Sequence, residues 1–125
     1  MNIELTLREL LLPVFGLDTI DQIQPQQTLV KDLGATSIDF VEISYIVESN
    51  FNVVIKTNEL MIGGTSVNPD DIFIEGILTT EGAAILNKNL NNNRFHEGQT
   101  KRDLFEAITV TDLAYIISTR MIKKD

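Results

Sequence analysis

The stretch Thr28–Asn50, TLVKDLGATSIDFVEISYIVESN, decides how this chain of 125 residues folds. Residues 32–35, DLGA, predict a loop, because glycine tolerates the backbone angles of a tight turn. An apolar run with helical spacing follows the loop, and Ser37 stands at its first turn. A serine in that position has two possible roles. It either caps the helix by accepting a hydrogen bond from a free backbone N–H, or it presents its hydroxyl for chemistry.

Residues 37–50 predict a helix with two apolar arcs. Phe40, Ile43 and Val47 share one arc, and Val41 with Tyr45 forms the other. A helix that is apolar on two sides is expected at the centre of a bundle, packed by several neighbours. The rest of the helix surface forms a third side. That side carries two isoleucines that we expect to be exposed among polar residues, namely Ile38, Asp39, Glu42, Ile46, Ser49 and Asn50. No Lys or Arg occurs between residues 32 and 55, so no cation close in sequence neutralises Asp39, Glu42 or Glu48.

Apolar residues at helical spacing predict three more helices, and each has a candidate N-cap. Asn2 precedes the first of them, Thr79 or Thr80 the second, and Thr109 the last, where Asp112 follows three residues on. The predicted fold class is therefore all-α, a small four-helix bundle. The three additional helices cover approximately residues 3–12, 80–90 and 109–121.

Composition and charge exclude several classes of function. The formal net charge is −8, which makes nucleic acid and anionic membrane unfavourable partners. The chain has no cysteine, so disulfides, thiolate metal sites and a cysteine nucleophile are excluded. No apolar run approaches the roughly 20 residues that span a bilayer, and the N-terminus does not resemble a signal peptide, so we expect a cytoplasmic protein without stable membrane insertion.

Candidate residues for catalysis or metal binding are few. His96 is the only histidine, and a single histidine in a polar stretch without any cysteine makes a poor metal site. Ser37 lacks the strand and the G-x-S-x-G turn of a hydrolase nucleophile, and no base can be placed beside it. We therefore expect neither a metal site nor an enzyme active site in this chain.

The segment DLGATSID at 32–39 resembles acyl carrier proteins, whose hallmark is Asp-Leu-Gly followed by Asp-Ser-Leu at the start of the second helix. The acids and apolar spacing after Ser37 fit the same pattern, and residues 108–117 resemble the last helix of the family. The resemblance covers about residues 3–55 and 105–122. It implies an acyl-carrier-like bundle that is not itself an enzyme.

By that resemblance, Ser37 would carry 4′-phosphopantetheine, attached covalently by a phosphopantetheinyl transferase that uses coenzyme A. The thiol of the added group would carry acyl thioesters between loading, transferring and condensing enzymes, as in fatty acid or lipid biosynthesis. Asp39, Glu42, Ile46 and Glu48 would form the surface that those partners recognise, on a carrier that we expect to be a monomer. The residues expected around the cofactor attachment point are Asp32, Leu33, Gly34, Thr36 and Ile38.

Two departures from the family pattern stand out. Thr36 replaces the usual Asp before the modified serine, and it can take over capping so that Ser37 is free. Residues 57–103, called here the inserted segment, replace a short turn and a short helix within a single carrier domain spanning 1–125. Two interpretations of its apolar residues are open, since they either extend a pocket for the acyl chain or pack against the flank of the bundle: Ile72, Phe73, Ile77, Leu78, Ile85 and Leu86.

Two alternatives to an acyl carrier keep the same fold. The first is an aminoacyl or peptidyl carrier, which would use Ser37 in the same way for a different cargo. The second is an unmodified helical interaction module, in which Ser37 is only a helix cap.

Overall fold

A computed structural model describes residues 2–60 and 68–122 of the chain. Part of the inserted segment, residues 61–67, lies outside these described ranges. Within them the protein is mainly helical, with one short hairpin, which confirms the predicted fold class. The elements in chain order are α1 (Ile3–Leu11), a 3₁₀ turn (Ile20–Gln22), α2 (Ser37–Phe51), α3 (Thr57–Leu60), α4 (Pro69–Ile72), β1 (Phe73–Ile74), β2 (Ile77–Leu78), α5 (Thr80–Leu90), α6 (Lys101–Ala107) and α7 (Val110–Ile122).

The predicted N-caps of three helices are confirmed. The Asn2 side chain accepts a hydrogen bond from the Leu5 N–H at 3.0 Å, at the start of α1. Thr79 does the same for the Gly82 N–H at 2.9 Å, at the start of α5. Side-chain acceptors satisfy backbone donors that have no partner within the helix, so polar residues before an apolar run locate a helix start well.

The first turn of α7 contains the reciprocal pair predicted from Thr109 and Asp112. The Thr109 Oγ1 accepts from the Asp112 N–H at 3.1 Å, and an Asp112 carboxylate oxygen accepts from the Thr109 N–H at 3.0 Å. Because each side chain satisfies the other residue's backbone donor, both residues are held in place.

Helix α7 occupies the centre of the bundle. It packs against α1, α2 and α5, whereas α2 packs mainly against α7 and α3. The expectation that α2 is the central helix is therefore wrong. Apolar residues on two sides of α2 do not ensure that other helices cover both sides, because the arrangement of the other helices in the bundle determines which sides are covered.

The buried apolar residues form one core that includes the inserted segment. Leu7 of α1, Ile43 of α2 and Ile117 of α7 are fully buried in it. In the inserted segment, Ile72, Leu78 and Leu86 are also fully buried, and Phe73 and Ile85 pack against them. Ile77 stays exposed. These contacts agree with the interpretation that the segment packs against the flank of the bundle.

The stretch IFIEGIL at 72–78 is too short to be assigned as helix or strand from its sequence; its first residue ends α4, and residues 73–78 form the β1–β2 hairpin. Phe73 pairs with Leu78 and Ile74 with Ile77, across a two-residue turn at 75–76 where both residues have positive φ. Ile72, the last residue of α4, lies directly against α5, since a Cβ at Gly82 would come within 2.4 Å of the Ile72 carbonyl oxygen. That close approach explains a glycine inside a helix.

The asparagine-rich stretch at 87–94, which begins in the last turn of α5, is held to the fold by its own side chains. The Asn87 side chain both donates to the Phe95 carbonyl and accepts from the Phe95 N–H, each at 2.9 Å. Asn91 ends α5 in the left-handed conformation, which asparagine tolerates better than most residues. An open concavity of about 280 Å³ lies here, away from Ser37, and is lined by Asn87, Lys88, Asn91, Asn92 and Asn93.

Helix α6 was not predicted as a separate helix, because its 7 residues are too few to show periodicity. Thr100 caps it, and Asp103 completes a capping box there. The Phe105 ring lies 4.9 Å from the Phe40 ring of α2, which places α6 beside the first turns of α2. In the described part of the chain, no helix has the length and apolar character needed to cross a membrane.

Candidate functional site

Ser37 is the first residue of α2 and is exposed, while Thr36 caps the helix. The Thr36 Oγ1 accepts from the Asp39 N–H at 3.3 Å. The Asp39 carboxylate in turn accepts from the Thr36 N–H at 2.8 Å and from the Thr36 hydroxyl at 3.1 Å. Within residues 2–60 and 68–122, the Ser37 hydroxyl makes no hydrogen bond. The capping requirement is thus met without Ser37, as predicted, and its hydroxyl is available to another molecule.

Asp39 has a role that was not predicted from the sequence. We expected it on the partner surface; the residue is half-buried, and its carboxylate forms the second half of the capping box with Thr36. The signal was present in the spacing, because an acceptor three residues after a threonine N-cap is the pattern of a capping box. Asp39 therefore orients the residues on either side of Ser37.

The loop before α2 is stabilised by Thr28, Asp32 and Gly34. An Asp32 carboxylate oxygen accepts from the Thr28 N–H at 2.8 Å, and the Asp32 N–H donates to the Thr28 hydroxyl at 3.0 Å. Gly34 has φ of +76°, which other residue types rarely adopt. Leu33 is half-buried and packs against the core. Asp32, Leu33 and Gly34, which we expected around the cofactor, thus keep the loop in its conformation. Their contribution to the site is to position Ser37.

The same loop is attached to the junction between α6 and α7. The Leu29 N–H donates to the Ile108 carbonyl at 2.9 Å, and the Val110 N–H donates to the Gln27 carbonyl at 3.1 Å. Thr28 and Thr109 form an isolated antiparallel bridge between these bonds. Hydrogen bonds between residues 79 and 83 positions apart in sequence therefore fix the position from which α2 starts.

An apolar stripe lies on the surface of α2 beside Ser37 and consists of Ile38, Val41 and Tyr45. Their exposed fractions are 77%, 58% and 71%. Residues at i, i+3 and i+7 share one face of a helix, so the three side chains form a continuous strip. The expectation for Ile38 is confirmed, but the expected burial of Val41 and Tyr45 is wrong, because no helix within residues 2–60 and 68–122 covers that face. Ile46, which we expected to be exposed, is half-buried.

Acidic side chains flank the apolar stripe. Glu42 and Glu48 are exposed, and neither they nor Asp39 pairs with a cation among the described residues. The surface next to Ser37 is consequently anionic and apolar together. Such a surface favours a partner that presents basic residues around an apolar patch.

No group of three or more His, Cys, Asp or Glu side chains that could hold a metal ion is found in residues 2–60 and 68–122. His96 is exposed, and its backbone N–H donates to the Gln99 side chain at 2.9 Å. Asn68 accepts from the Asp70 N–H at 3.0 Å and caps α4.

Comparison with known protein families identifies the group to which the chain is related. Residues 6–73 match the family described as phosphopantetheine attachment site, and the match spans more than half of the 125 residues. The chain belongs to this family. The expected membership among acyl carrier proteins and the expected cofactor are confirmed at this level, since the family's domain is the attachment site for covalent 4′-phosphopantetheine.

The match includes Ser37 and the whole of α2 in this carrier protein, and it ends within the inserted segment. Helices α5, α6 and α7 lie outside the matched residues. No curated protein and no solved structure matches the chain. Carrier domains of this family are not catalytic themselves, and they interact with phosphopantetheinyl transferases and with biosynthetic enzymes.

Proposed function

We propose that this chain is a discrete acyl carrier protein in which Ser37 carries the 4′-phosphopantetheine. The observation that supports it is the division of roles between two adjacent residues. Thr36 meets the capping requirement of α2, and Ser37 is left exposed with a hydroxyl that no other described group engages. A capping serine would instead have its oxygen occupied by a backbone donor.

The first turn of α2 suits the phosphate of this cofactor. The helix has 15 residues, and its N-terminus carries partial positive charge from N–H groups that have no partner within the helix. A phosphate at such a position gains on the order of 0.3–1 kcal/mol. When bound, the cofactor supplies a thiol on a long arm, the nucleophile that a chain without cysteine lacks.

The surface next to Ser37 supports a role in contact with several enzymes in turn. The apolar stripe offers a small contact area, and Glu42 and Glu48 offer charge that steers association. Steering raises association rates, while a small apolar contact keeps complexes short-lived. We infer that Ile38, Val41 and Tyr45, flanked by these acids, form the surface that partner enzymes bind.

The proposal includes the finer expectations from the sequence. Residues 1–125 form a single monomeric carrier domain with an insertion at 57–103, without catalytic activity of its own. It works in the cytoplasm in fatty acid or another lipid biosynthesis, with a phosphopantetheinyl transferase and with acyl-loading, transferring and condensing enzymes as partners. An aminoacyl or peptidyl cargo is the main alternative.

Intact-mass measurement tests the attachment point. After incubation with coenzyme A and a broad-specificity transferase, we expect an added mass of one phosphopantetheine in the natural chain. Ser37→Ala should abolish the addition, and Ser49→Ala, which removes an exposed serine from the same helix, should retain it. Absence of the addition, or its persistence in Ser37→Ala, would contradict the proposal. Loading of the modified protein by acyl against aminoacyl ligases separates the two cargo classes.

A further inference from the structure

A single arginine of the inserted segment bridges the junction between α6 and α7. The Arg94 Nη1 donates to the carbonyl of Ala107, the last residue of α6, at 2.7 Å. The Arg94 Nη2 donates to the carboxylate of Asp112 in the first turn of α7. A guanidinium can do this because its donors lie in a planar fork that serves two acceptors at once. One side chain thus binds both elements that meet at 108–109.

Asp112 makes this bridge more than a surface contact. It is the one buried polar or charged residue in the described ranges, with 5% exposure. The oxygen that accepts from Arg94 also accepts from the Thr109 N–H. A buried carboxylate is unfavourable unless it is paired and hydrogen-bonded, and among the described residues Arg94 is the cation that pairs with it.

Arg94 is itself held in place by the inserted segment. Its own N–H donates to the Asn92 side chain at 3.0 Å. The next residue, Phe95, is 3% exposed, and its backbone donates one hydrogen bond to the Asn87 side chain and accepts one from it. The Arg94 guanidinium also lies 5.4 Å from the centre of the Phe95 ring. The asparagine-rich stretch therefore presents this side chain from a fixed backbone.

The junction that Arg94 bridges is the one that anchors the loop before α2. Ile108 accepts from the Leu29 N–H, and the Ala35 N–H donates back to the Leu29 carbonyl at 2.8 Å. Ala35 directly precedes Thr36, the cap of α2. Hydrogen bonds and the peptide links between them accordingly connect Arg94, through the junction and the loop, to Ala35, two residues before Ser37.

We propose that Arg94 is a positioning residue for the modification site, through which the inserted segment holds the loop that presents Ser37. This inference rests on the proposed attachment of phosphopantetheine at Ser37. It gives the inserted segment a function within the carrier: through Arg94, which lies outside the family-matched residues 6–73, the segment braces the α6–α7 junction.

Hydrogen exchange in Arg94→Gln tests the structural half of the proposal. The amides of Leu29 and Val110, whose bonds join loop and junction, should exchange about tenfold faster or more. The amides of α1 should keep their natural rates. Arg94→Lys should restore the rates only in part, because an ammonium cannot serve both acceptors as a planar fork does. Lys88→Gln, which removes an exposed cation from the same segment, should change nothing.

The rate of phosphopantetheine transfer tests the functional half. We expect kcat/KM for the transferase to fall severalfold in Arg94→Gln, and Asp112→Asn to give a similar fall that does not add to the first in the double variant. Unchanged exchange at Leu29 and Val110, an equal acceleration in α1, or an unchanged kcat/KM would each overturn the inference. Failure of the natural chain to accept phosphopantetheine would instead refute the proposed function, and the exchange result would still report on the bridge.

Discussion

The N-termini of α2 and α7 are built from the same local pattern and have opposite surroundings. Each starts with a threonine whose side chain pairs reciprocally with an aspartate three residues later, Thr36 with Asp39 and Thr109 with Asp112. At α2 the next residue after the cap is the exposed Ser37, whereas at α7 it is Val110, which is fully buried. Only the α7 box has an arginine partner among the described residues.

The comparison separates what the capping pattern does from what the fold does with it. In both places the reciprocal hydrogen bonds determine the residue at which the helix starts and hold its first turn in place. At α7 the fold then buries that turn and uses it as a joint between the loop, α6 and the inserted segment. At α2 the turn faces solvent, so the residue after the cap is free to be modified.

The largest expected difference concerns the two aspartates. Asp112→Ala should lower the free energy of unfolding by about 3 kcal/mol, because it leaves the Thr109 N–H without an acceptor and Arg94 without its counterion. Asp39→Ala should lower the free energy of unfolding by only about 1 kcal/mol, since water can accept hydrogen bonds from the Thr36 N–H and hydroxyl in place of the lost carboxylate. Urea unfolding of the two variants measures both values, and equal costs would remove the distinction drawn between the two helix ends.

The residues that follow the caps should differ next most strongly. Val110→Ala should cost about 2 kcal/mol, because it removes buried methyl groups from the core. Ser37→Ala should change the free energy of unfolding by less than about 0.5 kcal/mol, as exposed substitutions usually do. The check is thermal unfolding of each variant under identical conditions. A clear loss of stability in Ser37→Ala would mean that the serine is a cap after all.

The threonine of the α2 box allows a smaller test. Thr36→Ala should cost about 1 kcal/mol through the lost cap, and Thr36→Ser should recover most of that cost, because serine provides the same oxygen. Circular dichroism during urea unfolding gives the two values. If Thr36→Ala were neutral, the capping role would have to be reassigned to another residue near the helix start.

A third box of the same kind, Thr100 with Asp103 at α6, predicts a small pH effect. Hydrogen bonds from the Thr100 backbone and side chain lower the pKa of Asp103 below its usual value of 3.8. Because the pKa is lowered in the folded state, the ionised carboxylate stabilises the fold at pH values above that usual pKa. This contribution is lost as the pH falls below about 4 towards the lowered pKa. Asp103→Asn should therefore flatten the dependence of stability on pH in that acid range.

The exposed Asp71 serves as the control for this pH effect, because its side chain makes no hydrogen bond among the described residues. Asp71→Asn should leave the slope of unfolding free energy against pH as it is in the natural chain. Equal slopes for the natural chain and Asp103→Asn would show that the Thr100 box contributes nothing measurable.

The helix starts were the most predictable part of this fold. Asn2, Thr36, Thr79 and Thr109 were all identified as caps because capping is a local interaction between residues two or three apart. Helix α6 was missed because its 7 residues show no period, although the spacing of Thr100 and Asp103 carried the same signal. The hairpin at 73–78 was not assignable, since its turn is not one of the commonest hairpin sequences.

The candidate site was predictable only as far as local interactions define it. The sequence identified Thr36 as a residue able to cap α2, whereas the two roles of Ser37 stayed open on the residues alone and were separated only by the resemblance to acyl carrier proteins. The exposure of Val41 and Tyr45 was not predicted, because it depends on where α6 and α7 pack. The contact of Arg94 with Asp112 joins residues 18 apart through a loop whose course periodicity cannot give.

The exposure of Tyr45 provides a natural reporter for this protein. The chain has two tyrosines and no tryptophan, and the second tyrosine, Tyr115, is half-buried on α7. Incorporation of 3-fluorotyrosine would therefore give two ¹⁹F resonances, one on the apolar stripe and one on the central helix. A molecule that binds beside Ser37 should shift the first, whereas a rearrangement of the bundle should shift the second. Docking and internal motion can thus be followed separately in the same sample.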